Sequence, residues 1–122
     1  MVEELLKNKI IHYFEDLNRL TRNIIVTDAT GKKLGFPEGI ALAIEMVISS
    51  RNLNRKLIFI GNGGSAAIAS HQAIDFWKNG AIPAIAFNDS SLLTCLSNDF
   101  GYQHVFEKSI EMFANSGDVL SG

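Results

Sequence analysis

The segment Gly61-Asn62-Gly63-Gly64-Ser65 lies between an apolar run and an alanine-rich stretch, and its residue types point most directly to chemistry. Glycines let the main chain turn sharply and approach an anion with no side chain in the way. A helix that starts there offers unpaired N–H groups and the positive end of its dipole. Ser65 is expected to cap that helix and to donate its hydroxyl to a phosphate oxygen. No lysine follows the glycines, so the segment is not a P-loop, and Ala66 stands where the dinucleotide fingerprint needs glycine. A phosphate or another anionic ligand is the expectation. A tight strand-to-helix turn without a ligand is the alternative.

Further along, His71 and Asp75 are four residues apart and share one helix face. An imidazole and a carboxylate at that spacing either hold a divalent metal or form a hydrogen-bonded pair that fixes the histidine tautomer. Zinc takes three or four ligands from protein, so two donors do not complete a site. In Asn98-Asp99-Phe100-Gly101 the default is turn chemistry, with Asp99 also able to accept hydrogen bonds from sugar hydroxyls. Cys95 sits in the apolar run Leu92-Leu93-Thr94-Cys95-Leu96, which predicts a buried, inert thiol. Trp77 reads as core or interface. His12 and His104 have no partner that spacing identifies.

The elements that must position these groups alternate. Residues 3–25 carry helical spacing, with Leu6, Ile10, Tyr13 or Phe14, Leu17 and Ile24 on one stripe that packs in the chain or against another subunit. The polar stretch 27–33 reads as a connection. Phe36-Pro37-Glu38 opens a second helix, with Ile40, Ile44, Val47 and Ile48 as its expected buried face. Lys56 to Ile60 reads as a strand buried on both faces, Ser65 to Trp77 as a helix packed close to a sheet, and Ala84 to Phe87 as a second buried strand. A short helix over Ser90 to Ser97 follows. The helix over Gln103 to Ala114 is expected to bury Val105 or Phe106, Ile110 and Phe113, and a third strand begins at Asp118. Helices alternating with short strands make the class α/β with a parallel sheet. Three strands leave at least one sheet edge unpaired, which invites association.

The 122 residues form at most one domain, and 47% apolar with 20% charged residues is an ordinary globular balance. A net charge of -2 argues against nucleic acid or an anionic membrane as the main partner. No apolar run nears the ~20 residues a membrane helix needs. A single cysteine excludes an intrachain disulfide and fits a cytoplasmic protein.

Taken in order, Gly61-Asn62-Gly63-Gly64-Ser65, His71 with an acidic residue at 75, Pro83-Ala84-Ile85-Ala86, Cys95 with Asn98-Asp99-Phe100-Gly101, and Gly117-Asp118-Val119-Leu120 resemble the sugar isomerase (SIS) domain family, closest to the phosphoheptose isomerases. The resemblance covers nearly the whole chain and is strongest from Lys56 to Leu120. It implies a three-layer α/β/α sandwich with a flavodoxin-like sheet, of which residues 1–122 are the N-terminal part: helices over 1–55 and a sugar-phosphate-binding part over 56–122. It also implies a homotetramer with active sites between subunits, and isomerisation of sedoheptulose 7-phosphate for heptose in lipopolysaccharide, capsule or other surface glycans. Asn62, Gly63, Gly64 and Ser65 would line the sugar-phosphate site, with Asn98 and Asp99 on the sugar. His71 matches a zinc ligand, and Asp75 stands where the family has a glutamate that is both zinc ligand and catalytic base. The family's arginine-rich segment is missing between Asp75 and Pro83. Its second phosphate loop and the distal helix with a glutamine and a histidine would follow Gly122, so a truncated chain is expected. The alternative within the resemblance is a non-catalytic sugar-phosphate-binding or regulatory module.

Overall fold

A computed structural model describes residues 2–122, which divide into two compact units, one up to Glu45 and one from Met46 onward. The first unit opens with α1 (Val2–Arg22), whose ends suit the helix dipole: Glu3 and Glu4 in the first turn, Arg19 and Arg22 in the last. α1 buries none of its residues, and Leu6, Ile10, Tyr13, Phe14 and Leu17 are all exposed. The predicted helix is there, three residues shorter at its C-terminal end. A stripe at helical period identifies the apolar face but not which chain covers it.

The stretch read as a connection is the tip of a hairpin. β1 (Ile25–Thr27) and β2 (Lys33–Gly35) pair antiparallel, Val26 opposite Leu34. Asp28 shapes the tip: its Oδ1 accepts from the Thr30 amide at 2.8 Å, the Thr30 hydroxyl at 2.7 Å and the Lys32 amide at 3.0 Å. The Thr30 hydroxyl, joined by those amides, holds the Asp28 carboxyl below its ordinary range. α2 (Phe36–Asn52) then starts where Pro37 predicts. Its expected buried face is not buried: Ile40, Ile44 and Ile48 are exposed and Val47 is half-buried, while Gly39 and Ser50 are the covered positions.

In the second unit, β3 (Leu57–Phe59), α3 (Gly64–Gly80), β4 (Ala84–Ala86), α4 (Ser90–Phe100), a 3-10 turn (Tyr102–His104), α5 (Val105–Phe113) and β5 (Val119–Ser121) follow in order. The sheet is wholly parallel in the order β4-β3-β5, with Ile58 opposite both Ile85 and Leu120. β4 and β5 flank β3 on opposite sides, so the connections through α3 and through α4–α5 cross the sheet in opposite directions, and the right-handed crossovers that parallel strands favour set α3 and α4–α5 on opposite faces, in keeping with α/β/α layering. β3 is central and buried, with Ile58 only 1% exposed. Ala69 and Ala73 are buried and let α3 lie close, and the Phe59 and Phe76 rings stack at 5.5 Å. β4 is an edge strand rather than a strand buried on both faces, and Ile85 is 38% exposed. On α5, Val105 and Ser109 are buried, whereas Phe113 is 52% exposed despite its ring lying 5.8 Å from that of Phe87.

One acidic side chain fastens the N-terminal ends of β3 and β5. Asp118 Oδ1 accepts the Lys56 amide at 3.0 Å, and Oδ2 accepts the Lys56 ammonium at 2.5 Å and the Asn115 amide at 2.7 Å. Its side chain is 5% exposed. Burial pushes its pKa up, but the Lys56 ammonium and the two amides outweigh that, and the net shift is downward from 3.8. A carboxyl lowered in the fold contributes its stability in full above its unfolded pKa and loses it as the pH falls through the folded value. Asp118→Asn is therefore expected to cost about 2–3 kcal/mol near neutral pH by chemical denaturation. The difference from the parent protein should shrink below about pH 4. An unchanged midpoint at pH 7 would remove this clamp from the account.

Candidate functional site

The chain leaves β3 and turns into α3 through Gly61, Asn62 and Gly63. A Cβ on Gly61 would lie 2.4 Å from the Ser65 carbonyl oxygen, so only glycine lets the strand end pass this close to the helix start. Gly63, at φ 58° and ψ -124°, is the N-cap. Ser65 is therefore inside the helix rather than capping it, and no side chain caps α3. The helix starts one residue earlier than expected because the left-handed Gly63 already completes the turn. The Ser65 amide donates to the Asn62 carbonyl and the Ala66 amide to the Gly63 carbonyl, both at 3.1 Å. Among the described residues, the amides of Gly63 and Gly64 find no acceptor, and a Cβ on either would meet nothing within 4 Å. Two unpaired donors at the positive end of a helix suit an anion.

Two concavities flank this bend. A cavity of about 250 Å³ is lined by Phe59, Ile60, Ser65, Ala69 and Ser121, at the C-terminal ends of β3 and β5. Another of about 360 Å³ is lined by Leu93, Thr94, Ser97, Asn98 and Tyr102. The Tyr102 hydroxyl donates to Asn62 Oδ1 at 2.6 Å, which ties the glycine bend to the segment carrying Asn98. Asn98, Asp99 and Phe100 are the last turn of α4 rather than the expected turn, and Gly101 ends the helix. Nothing in the spacing pointed to Tyr102; the signal available was an aromatic hydroxyl directly after Gly101. Beneath the bend, Asn88 Nδ2 donates to the Ala66 carbonyl at 2.8 Å and to the Ser70 hydroxyl at 3.1 Å. The first turns of α3 are thus anchored to the end of β4.

Asp99 faces its own helix: Cys95 Sγ lies 3.7 Å from Oδ2 and Asn98 Nδ2 donates to Oδ1 at 3.0 Å. Cys95 is exposed, against the expected buried thiol, because its position on α4 looks outward in spite of apolar sequence neighbours. His104, without a partner in the sequence reading, is hydrogen-bonded to Glu107 and lowers that carboxyl's pKa. His71 Nε2 and Asp75 Oδ2 are 3.3 Å apart, with side chains 73% and 42% exposed. Asn79 Nδ2 donates to Asp75 Oδ1 at 3.3 Å, so the carboxylate is held from both directions along α3. No group of three or more His, Cys, Asp or Glu side chains able to hold a metal occurs among the described residues. His71 and Asp75 fit a divalent cation as two of its ligands and no more. Ten residues separate Ser65 from Asp75, roughly 15 Å of helix. The bend and the His71–Asp75 pair are therefore two separate groups on this chain.

No family model matches the chain. It is 35% identical over 121 residues to the phosphoheptose isomerase of Cytophaga hutchinsonii, covering 95% of this chain and 60% of that protein. It is 41% identical over 93 residues to that of Clostridium acetobutylicum, covering 71% of this chain and 47% of that protein. Among solved structures, phosphoheptose isomerase GmhA from Neisseria gonorrhoeae superposes with a TM-score of 0.72 at 31% identity, over 95% of this chain and 59% of that one. A phosphoheptose isomerase from Francisella tularensis gives 0.71 at 27% identity, over 93% of this chain and 58% of that one. The chain thus spans about half to three-fifths of the length of the relatives it matches.

The geometry of the bend separates its glycines. Gly61→Ala drives a methyl into backbone and should cost about 3 kcal/mol or more. Gly64→Ala adds a methyl facing open space in a helical position and should leave stability unchanged or slightly raised. Thermal melts of the two variants test this. Equal losses would contradict the described path of the chain.

Proposed function

We propose that this chain, a homologue of the phosphoheptose isomerases, grips a phosphorylated seven-carbon sugar and serves the conversion of sedoheptulose 7-phosphate to D-glycero-D-manno-heptose 7-phosphate. The observation that carries the reading is the likeness to enzymes of that name over 95% of this chain. The glycine bend gives it a physical basis. The amides of Gly63 and Gly64 take the phosphate, Asn62 and Ser65 add side-chain contacts, and Asn98 and Asp99 meet the sugar hydroxyls, Asp99 with a carboxylate that Asn98 and Cys95 already engage. Phosphate held away from the reacting carbons contributes binding energy that orients them.

An aldose–ketose isomerisation removes a proton from the carbon beside the carbonyl and returns one to the neighbouring carbon, through a cis-enediol. Asp75 is the base in this reading, and the oxygens exchange their own proton through a second acid/base group outside the described residues. His71 and Asp75 would hold zinc, with the remaining ligands coming from outside the described residues. When bound, zinc supplies positive charge to the enediolate oxygens. Roughly 15 Å of helix separates the bend from Asp75, and in this reading one active site draws these groups from different copies, as the resemblance implies. A homo-oligomer, a tetramer by resemblance, meets that need. The product would feed heptose into lipopolysaccharide, capsule or other surface glycans. A cytoplasmic setting fits, and no described helix is long and apolar enough to cross a membrane.

One observation favours a second reading, a sugar-phosphate-binding module without catalysis. Aspartate at 75 is a methylene shorter than glutamate, and misplacement by ~1 Å can cost ~100-fold. A coupled assay on the full-length protein with sedoheptulose 7-phosphate, with and without a zinc chelator, separates the two. Turnover that falls at least about 100-fold in Asp75→Asn supports the isomerase. Turnover retained in that variant removes Asp75 as the base. Tight binding of the sugar phosphate by the parent protein, without turnover, establishes the module instead.

A further inference from the structure

Tyr102 has no part in the chemistry described above, yet it makes the one side-chain hydrogen bond that reaches the glycine bend from another element among the described residues. Its hydroxyl donates to Asn62 Oδ1 across forty residues of sequence. An amide has one acceptor side and one donor side. With Oδ1 occupied, Nδ2 is the side left to donate. An exposed asparagine on a glycine-rich turn otherwise samples several rotamers, and ordering it costs free energy at the moment a ligand binds.

Tyr102 is itself set firmly. The Gly101 amide donates to the Ser97 carbonyl at 3.0 Å, Gly101 turns the chain at φ 91°, and the His104 amide closes back on the Gly101 carbonyl at 3.0 Å. The same ring walls the cavity that Asn98 lines. One side chain therefore orients Asn62 and borders the space in front of Asn98.

We propose that Tyr102 is a positioning residue for the sugar-phosphate site: it fixes the Asn62 amide with Nδ2 ready to donate to an acceptor oxygen of the ligand. This rests on the reading of the bend as a sugar-phosphate site. Both Tyr102 and Asn62 are exposed, so the bond replaces one that water would make and adds little to folding stability. Its effect falls on the ligand.

The test uses the full-length protein, sedoheptulose 7-phosphate as the probe, titration calorimetry for affinity and thermal melts for stability. Tyr102→Phe is expected to raise the dissociation constant about five- to tenfold with an unchanged melting temperature. In an Asn62→Ala background the same substitution should have no further effect, since the group it orients is gone. An unchanged affinity in Tyr102→Phe, with Asn62→Ala weakened, overturns the positioning role and leaves the sugar-phosphate reading standing. A further loss in the Asn62→Ala background also overturns it, because Tyr102 would then act by another route. If Asn62→Ala and Gly64→Ala both bind as tightly as the parent protein, the bend is not the ligand site and the proposal falls with that reading.

Discussion

Gly61 is where the main chain of β3 touches the main chain of α3, and the rest of the site follows from that contact. With a hypothetical Cβ only 2.4 Å from the Ser65 carbonyl, strand and helix are joined by almost no slack. The bend that results leaves Gly63 at positive φ and the amides of Gly63 and Gly64 without an acceptor among the described residues. A larger residue at 61 would push the helix start away from the sheet. Ala69 and Ala73 could then no longer lie against it, and the Phe59–Phe76 stack would open. Close packing and unpaired donors are two consequences of one constraint, since a helix held tightly at its start has a fixed direction for its free amides.

The two ends of β3 divide the labour. At the N-terminal end, Asp118 gathers the Lys56 amide, the Lys56 ammonium and the Asn115 amide and fixes how β5 lies against β3. At the C-terminal end the glycine bend, Asn62, Tyr102 and the cavity bordered by Ser121 leave donors and space available. Open parallel sheets place ligands beyond the carboxyl ends of their strands for this reason: loops there are free of the work of registering the sheet. A substitution near Asp118 is thus expected to be felt as stability.

Legibility in the sequence followed the strength of local signals. The three core strands and the helices between them announce themselves through continuous apolar runs, glycine stops and alanine-rich spacing, so Leu57–Phe59, Gly64–Gly80 and Val119–Ser121 fall where expected within a few residues. The β1–β2 hairpin did not, because Ile25–Thr27 and Lys33–Gly35 mix polar residues and glycine into their short runs and Asp28-Ala29-Thr30-Gly31 reads as loop. Exposure was harder still. Ile40, Ile44 and Ile48 form an apolar face as predicted, but whether a face is covered depends on partners the pattern does not encode. Cys95 shows the same gap at a single residue, where apolar neighbours in sequence did not mean burial. The glycine bend and the His71–Asp75 pair were visible because each is a local spacing. The Tyr102–Asn62 link was not, because it is made only once the fold brings residues forty apart together.

Helix geometry finally limits how such groups can cooperate. α3 rises ~1.5 Å per residue, so His71 sits roughly 10 Å and Asp75 roughly 16 Å beyond the first residue of the helix. A rigid helix cannot fold its middle back onto its own N-terminus, and the Asn79–Asp75–His71 string runs along its surface rather than toward the bend. The carboxylate is already oriented by an amide on one side and an imidazole on the other, while remaining partly open to solvent. A group so arranged is prepared to meet something arriving from outside the chain. The bend and the middle of α3 are thus two stations on one rigid rod, held a fixed distance apart.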